Sequence, residues 1–217
     1  MKGEKIMVSN STRSLGRPRA SEQKQPTKQL ILEAATTLFL AKGYKEVSVD
    51  YVAEKCNVTK ATVYYYYSTK AELFTQSLII LMERIRENMQ LILKEEPSLY
   101  SGLKKVAIAH LKATVDIDIE FFLREAKNAL SADQIRQINN AEENMYDVVE
   151  FAFTEAMNKQ EIPSVNPTFA THTYMALMKV GNYKDTEGNP IFPTVPETAD
   201  QLIGFFWNGI FSHNKKE

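Results

Sequence analysis

The stretch from Val47 to Lys70, VSVDYVAEKCNVTKATVYYYYSTK, constrains this chain most, because it leaves room for two short helices and one sharp turn between them. Ser48 is a favourable N-cap, and Asp50 places a negative charge in the first turn, where the helix dipole is positive. Tyr51, Val52 and Ala53 then begin a helix that Lys55-Cys56-Asn57-Val58 should end. Thr59 is placed to cap a second helix running from Lys60 to about Tyr66. That second helix carries Lys60, Thr62, Tyr64, Tyr65 and Tyr66, which supply charge, hydroxyls and aromatic faces. A helix entering a DNA groove needs that chemistry, so the segment has the outline of a helix-turn-helix.

Charge is distributed to match. The chain has a formal net charge of only −1, yet residues 1 to 76 hold 12 Lys and Arg against 7 Asp and Glu, a balance of +5. The remaining residues therefore balance at −6, which argues against DNA contacts there. Ahead of the first helix, Ser14-Leu15-Gly16-Arg17-Pro18-Arg19 is a basic segment within a polar stretch that should not fold alone. Arg17 and Arg19, held extended by Pro18, either follow a narrow A/T-rich minor groove or make diffuse phosphate contacts.

The flanks of the motif carry a family resemblance. Thr27-Lys28-Gln29-Leu30-Ile31-Leu32-Glu33-Ala34-Ala35, leading to Leu38-Phe39 and Gly43-Tyr44, resembles the first helix of the tetracycline-repressor (TetR) regulators. Val52-Ala53, the run Val58 to Tyr67 and Lys70-Ala71-Glu72-Leu73 resemble the second, third and fourth helices in order. Tyr66 stands where His is common, Tyr67 where Phe is common, and Ala61 where Gly or Pro is common. The resemblance implies an all-α protein with a three-helix DNA-binding head and a helical ligand-binding and dimerisation domain. The expected division is a basic arm over 1–24, the head over 25–75 and the second domain over 76–217.

Within the head, Ser48, Thr59, Lys60, Ala61, Thr62, Tyr64, Tyr65, Tyr66 and Lys70, with Arg17 and Arg19, are the candidate DNA contacts. Lys60 lies near the helix N-terminus and suits guanine O6 or N7, with phosphate as its other partner. Small Ala61 permits close approach. Thr62 suits a base or a thymine methyl, while Tyr65 and Tyr66 suit bases or the sugar-phosphate backbone. By resemblance, Tyr64 and Lys70 are phosphate clamps. Thr69-Lys70-Ala71-Glu72 reads as a capping box for the next helix, and Tyr67 and Val63 as core.

Beyond Glu72 the chain reads as helix after helix. Leu73, Phe74, Leu78, Leu81, Ile85, Met89 and Ile92 recur at helical spacing until Pro97. Ser98 is placed to cap the next helix, Asp116 to Asp118 reads as a break, and a helix follows to Leu130. Ser131-Ala132-Asp133-Gln134 is a capping box opening a helix to about Lys159. Asn166-Pro167 opens another that stops at Gly181, and Pro196 starts the last, ending near Ser212. The 182–194 connection is long and has no assigned role.

The resemblance also implies that the last two helices pair across a two-fold axis. Phe169, Thr173, Ala176, Leu177, Val180, Leu202, Phe205, Phe206, Trp207 and Ile210 offer more apolar surface than two terminal helices need, though part must be buried within the chain itself. A two-fold dimer would read a near-palindromic operator. An effector pocket among the middle helices is likewise implied, with His110, Phe121, Phe122, Tyr146, Phe151 and Phe153 as pocket or core. The implied partners are double-stranded DNA, a small-molecule effector and a second copy of the chain.

Other functions find little support. There is no HExxH, GxSxG or phosphate loop, and the single cysteine, Cys56, forms neither a disulfide framework nor a metal set, so no enzyme activity, cofactor or metal is expected. No apolar run approaches the ~18 residues of a membrane span. The opening residues lack a signal-peptide apolar region, so a cytoplasmic location is expected. A helical adaptor working through protein partners is the competing class. It is disfavoured by Lys60, Tyr64 and Lys70 occurring together.

Overall fold

The computed structural model describes residues 26–114 and 124–211, and within them eight named helices. These are α1 (Thr27–Glu46), α2 (Val49–Lys55), α3 (Lys60–Tyr66), α4 (Lys70–Glu95), α5 (Leu99–Thr114), α6 (Ala132–Asn158), α7 (Pro167–Gly181) and α8 (Val195–Phe211). The all-helical expectation holds across these residues; their β-type pairing is an isolated bridge between Lys184 and Pro190 in the 182–194 connection. Arg17, Arg19, Phe121 and Phe122 lie outside the described residues.

Local chemistry places most helix ends. Ser48, Thr59, Ser131 and Asn166 each accept the backbone N–H three residues on, offsetting one of the unpaired donors that every helix start leaves. Ser131 and Gln134 form the full reciprocal box, and Pro167 occupies the first turn of α7. Thr69 caps α4 by accepting from Glu72 N at 3.0 Å, but the Glu72 carboxylate departs from the expected box. It accepts from the N–H and hydroxyl of Ser68 instead, two donors that together satisfy it better than the single Thr69 N–H. Gly43, at φ 79°, breaks the helical geometry near the end of α1 and lets Tyr44 fold back onto Phe39 and Phe74, with ring centres 6.2 and 5.0 Å apart.

Two apolar cores result, and α4 belongs to both. The head core gathers Ile31, Phe39, Val52, Val63, Tyr67, Phe74 and Leu78, all at or near zero exposure. It extends past residue 75 through Met82 and takes in Ala126 and Ile138 from the second domain, so the 75/76 boundary read from sequence falls inside a continuous helix and a shared core. The second core contains Met89 and Ile92 of α4 with Leu103, Val149, Phe153, Tyr174, Ile203 and Phe206. Here α5 packs on α8, α6 on both α4 and α7, and α7 on α8. Tyr174 is fully buried, and its hydroxyl donates to the Leu103 carbonyl at 2.8 Å, tying α7 to α5. Arg84 on α4 reaches Glu33 on α1 at 2.8 Å, a further tie between these two helices.

Candidate nucleic-acid interface

The turn between α2 and α3 fixes the geometry of the reading head. Asn57 adopts φ 53°, the left-handed conformation that Asn tolerates better than most residues. Val58 N donates to Ala53 O at 3.0 Å and Asn57 N to Glu54 O at 3.1 Å, closing a Schellman motif on the last carbonyls of α2. Thr59 follows at once as the α3 cap, accepting from Thr62 N at 3.1 Å. Four residues, Cys56 to Thr59, therefore separate the two helices, and Val52 and Val63, both fully buried, pin the pair to α1. Cys56 is buried beside them with its thiol near the Leu30 carbonyl, and burial pushes that thiol above its ordinary range. It is a core residue.

With Val63 and Tyr67 turned inward, the opposite face of α3 is presented to solvent. Lys60, Ala61, Tyr64 and Tyr65 are exposed, Tyr65 at 81%, and Thr62 and Tyr66 are half-buried. The Tyr65 and Tyr66 rings meet edge to face at 5.0 Å, so each restricts the other. Ser48 and Thr59 are exposed at their helix starts with hydroxyls already accepting backbone donors. Tyr67 hydroxyl donates to Lys28 O at 3.3 Å, and burial pushes its phenol up to about 12.

Two lysines have partners that sequence spacing did not reveal. Lys60 Nζ lies 2.7 Å from Asp50 on α2, and that hydrogen bond and charge push the Lys60 ammonium above its ordinary range. Lys70 Nζ donates to the Lys45 carbonyl at 3.3 Å and stands 4.4 Å from the centre of the Tyr44 ring. Asp50 and Lys60 are ten residues apart across the turn, and Lys70 is twenty-six residues from Tyr44, so no helical periodicity links either pair.

The expected pocket residues do not form one wall. Phe153 is fully buried against Phe206, with ring centres 5.9 Å apart, whereas Phe151 is exposed. Two positions apart on one helix, they point to opposite sides. Phe153 is thus a core residue rather than a pocket one. Tyr146 is half-buried, donating to Glu142 at 2.7 Å and meeting the His172 ring edge to face. Half-buried His110 has its imidazole pushed below the usual histidine range by burial. An open polar cleft of about 720 Å³ lies elsewhere, between the first turns of α4 and α6, lined by Lys70, Glu72, Gln76, Asp133 and Gln137 among others.

The candidate dimer residues also divide. Leu202 and Phe206 are buried in their own domain's core and are unavailable to a partner, because they fall on the side of α8 that meets α5 and α7. Leu177, Trp207 and Ile210 are partly buried against that core and Thr173 is half-buried. Phe169, Ala176, Val180 and Phe205 face outward, Phe169 at 62% and Phe205 at 72% exposure. Among the described residues no helix is long and apolar enough to cross a membrane, and no group of three His, Cys, Asp or Glu is placed to hold a metal ion.

A tightly closed helix-turn-helix with a cationic and tyrosine-rich outer face, standing on a long helix shared with a second helical domain, defines a DNA-binding regulator. Residues 31–76 match the family model for bacterial regulatory proteins of the tetR family. The reading head is thus of the tetR-family type. The chain is 25% identical over 152 residues to the HTH-type transcriptional regulator YhgD of Bacillus subtilis, covering 69% of this chain and 79% of that one. It is 37% identical over 51 residues to IcaR, the biofilm operon icaADBC negative transcriptional regulator of Staphylococcus epidermidis, covering 24% of this chain and 28% of IcaR. Its fold is similar to that of the transcriptional regulator FadR from Bacillus subtilis, solved in complex with stearoyl-CoA. That likeness has a TM-score of 0.68 at 17% identity and covers 84% of this chain and 98% of FadR.

Proposed function

We propose that the protein is a homodimeric repressor that acts in the cytoplasm, binds a near-palindromic operator and is released by a small-molecule effector. The observation that carries this reading is the outward face of α3, where Lys60, Ala61, Tyr64 and Tyr65 stand clear of the core on a helix capped directly after the turn. Lys60 exchanges Asp50 for a guanine edge, Thr62, Tyr65 and Tyr66 meet neighbouring bases or sugars, and Tyr64 and Lys70 hold phosphates. Arg17 and Arg19 extend the contact into the flanking minor groove.

Dimerisation is supported by Phe169, Ala176, Val180 and Phe205, an apolar outer face on the last two helices. Repression is supported by the likeness of the head to a named negative regulator, and an effector by the likeness of the fold to a regulator that carries an acyl-CoA. His110 and Tyr146 are the described residues that remain candidates for that ligand's surroundings. Movement of α4, which enters both cores, is the means by which occupancy reaches the head.

Selection of bound DNA from a random duplex pool tests the reading. Enrichment of an inverted repeat with two equal half-sites is the expected result. Retention that is independent of sequence, or that does not weaken with salt, contradicts it and favours an adaptor acting through apolar protein contacts.

A further inference from the structure

Head and second domain meet through charge as well as through α4. Lys45, at the end of α1, brings its Nζ to 3.7 Å from the Glu125 carboxylate; Glu125 is 16% exposed and Lys45 67%. Lys70 is the next cation along, since its Nζ donates to the Lys45 carbonyl. Burial lowers the Lys70 ammonium below its ordinary range, and the carboxylates of Glu46 and then Glu125 oppose that shift, so Glu125 lies within electrostatic reach of both lysines. Its placement is not left to a free side chain. Ala126 is fully buried in the head core, Leu130 packs against the same core, and Leu130 N and Ala129 N both donate to the Ala126 carbonyl. An anchored segment of the second domain therefore delivers one carboxylate to the cationic edge of the head.

A carboxylate and a DNA phosphate present the same kind of acceptor to an ammonium group. An acid beside these lysines opposes DNA twice, by pairing with them and by repelling an approaching phosphate. We infer that Glu125 is an internal competitor of DNA phosphate, engaging Lys45 and Lys70 so that the second domain's hold on this carboxylate sets the head's affinity for all DNA sequences alike. The inference rests on the DNA-binding role proposed above. It makes Glu125 a positioning residue: a shift of the Arg124–Leu130 segment changes affinity without changing which bases are preferred.

The test is binding of the full chain to a mixed-sequence duplex over a range of salt. Glu125→Gln is expected to bind about two- to fivefold tighter, the scale of one exposed ion pair. Its plot of log affinity against log salt should steepen by about one unit, as one more cation meets a phosphate. In a Lys45→Gln/Lys70→Gln background the same change should give no gain, and Glu125→Asp, which keeps the charge, should restore wild-type affinity. Those controls also separate the effect from a fold defect. Unchanged or weaker binding by E125Q, or a gain that persists without the two lysines, overturns the inference while leaving the DNA-binding role intact. Failure of the wild-type chain to bind any duplex removes the underlying role, and this inference with it.

Discussion

Phe205 offers the sharpest test of the proposed association of two copies of this chain. It is 72% exposed on the outer face of α8, whereas its neighbour Phe206 is buried at 2%. A phenylalanine buries on the order of 200 Å² when fully covered, so roughly 150 Å² of this side chain is open to a partner. At about 25 cal/mol per Å², covering it contributes up to about 3.5 kcal/mol, and truncation to alanine forfeits about 2–3 kcal/mol of that. A two-fold interface repeats the residue, so Phe205→Ala should weaken dimerisation by about 5 kcal/mol, or a factor of about 10³ to 10⁴ in dissociation constant. The fold itself should be nearly untouched, because surface truncations away from caps and ion pairs stay within about 0.5 kcal/mol. Sedimentation across nanomolar to micromolar protein, with a parallel urea titration, reads both quantities. A variant that stays dimeric with a constant within tenfold of wild type refutes the placement of this face at the interface. A variant that loses stability instead places Phe205 in the protomer's own support.

Three further outcomes are expected. Lys60→Ala should relax base preference at one position of each half-site, whereas Lys70→Ala should weaken binding to every sequence and flatten the salt dependence by about one unit; equal effects of the two in a binding-site selection would undo that sorting. Tyr174→Phe removes the 2.8 Å bond to the Leu103 carbonyl from a fully buried site and should lower unfolding stability by about 1–1.5 kcal/mol, seen as a drop of a few degrees in Tm. Burial also raises the Tyr174 phenol above its ordinary value. Its contribution is thus complete below about pH 10 and lost at higher pH, and an alkaline titration as steep in Tyr174→Phe as in wild type would exclude it. Burial lowers the His110 imidazole, so its contribution is complete above about pH 6.5 and lost as pH falls. The urea midpoint should decline between pH 7 and 5, less so in His110→Gln, and identical slopes would exclude His110 as a source.

Helix starts were the most legible part of the site, because a cap is decided within four residues. Ser48, Thr59, Ser131 and Asn166 cap as their sequence contexts require. Glu72 was less legible, since reaching Ser68 instead of Thr69 depends on the backbone path before the helix. The ion pairs were invisible. Asp50–Lys60 spans the turn and Lys45–Glu125 joins residues eighty apart, so neither leaves a periodic trace. On α8, adjacent Phe205 and Phe206 read alike as apolar surplus, and the packing of α5 and α7 is what covers one and leaves the other open.

By itself the sequence determined the helical architecture of the described residues, a closed two-helix turn and the identity of the residues on its outer face. Those features follow from local backbone chemistry and a 3.6-residue period, both written into neighbouring positions. The tertiary structure alone decided that Ala126 and Ile138 complete the head core, that Phe153, Leu202 and Phe206 are spent inside the protomer, and that Glu125 stands beside Lys45 of the head. Each of those outcomes depends on which helix face meets which, a choice made by contacts between residues far apart in the chain.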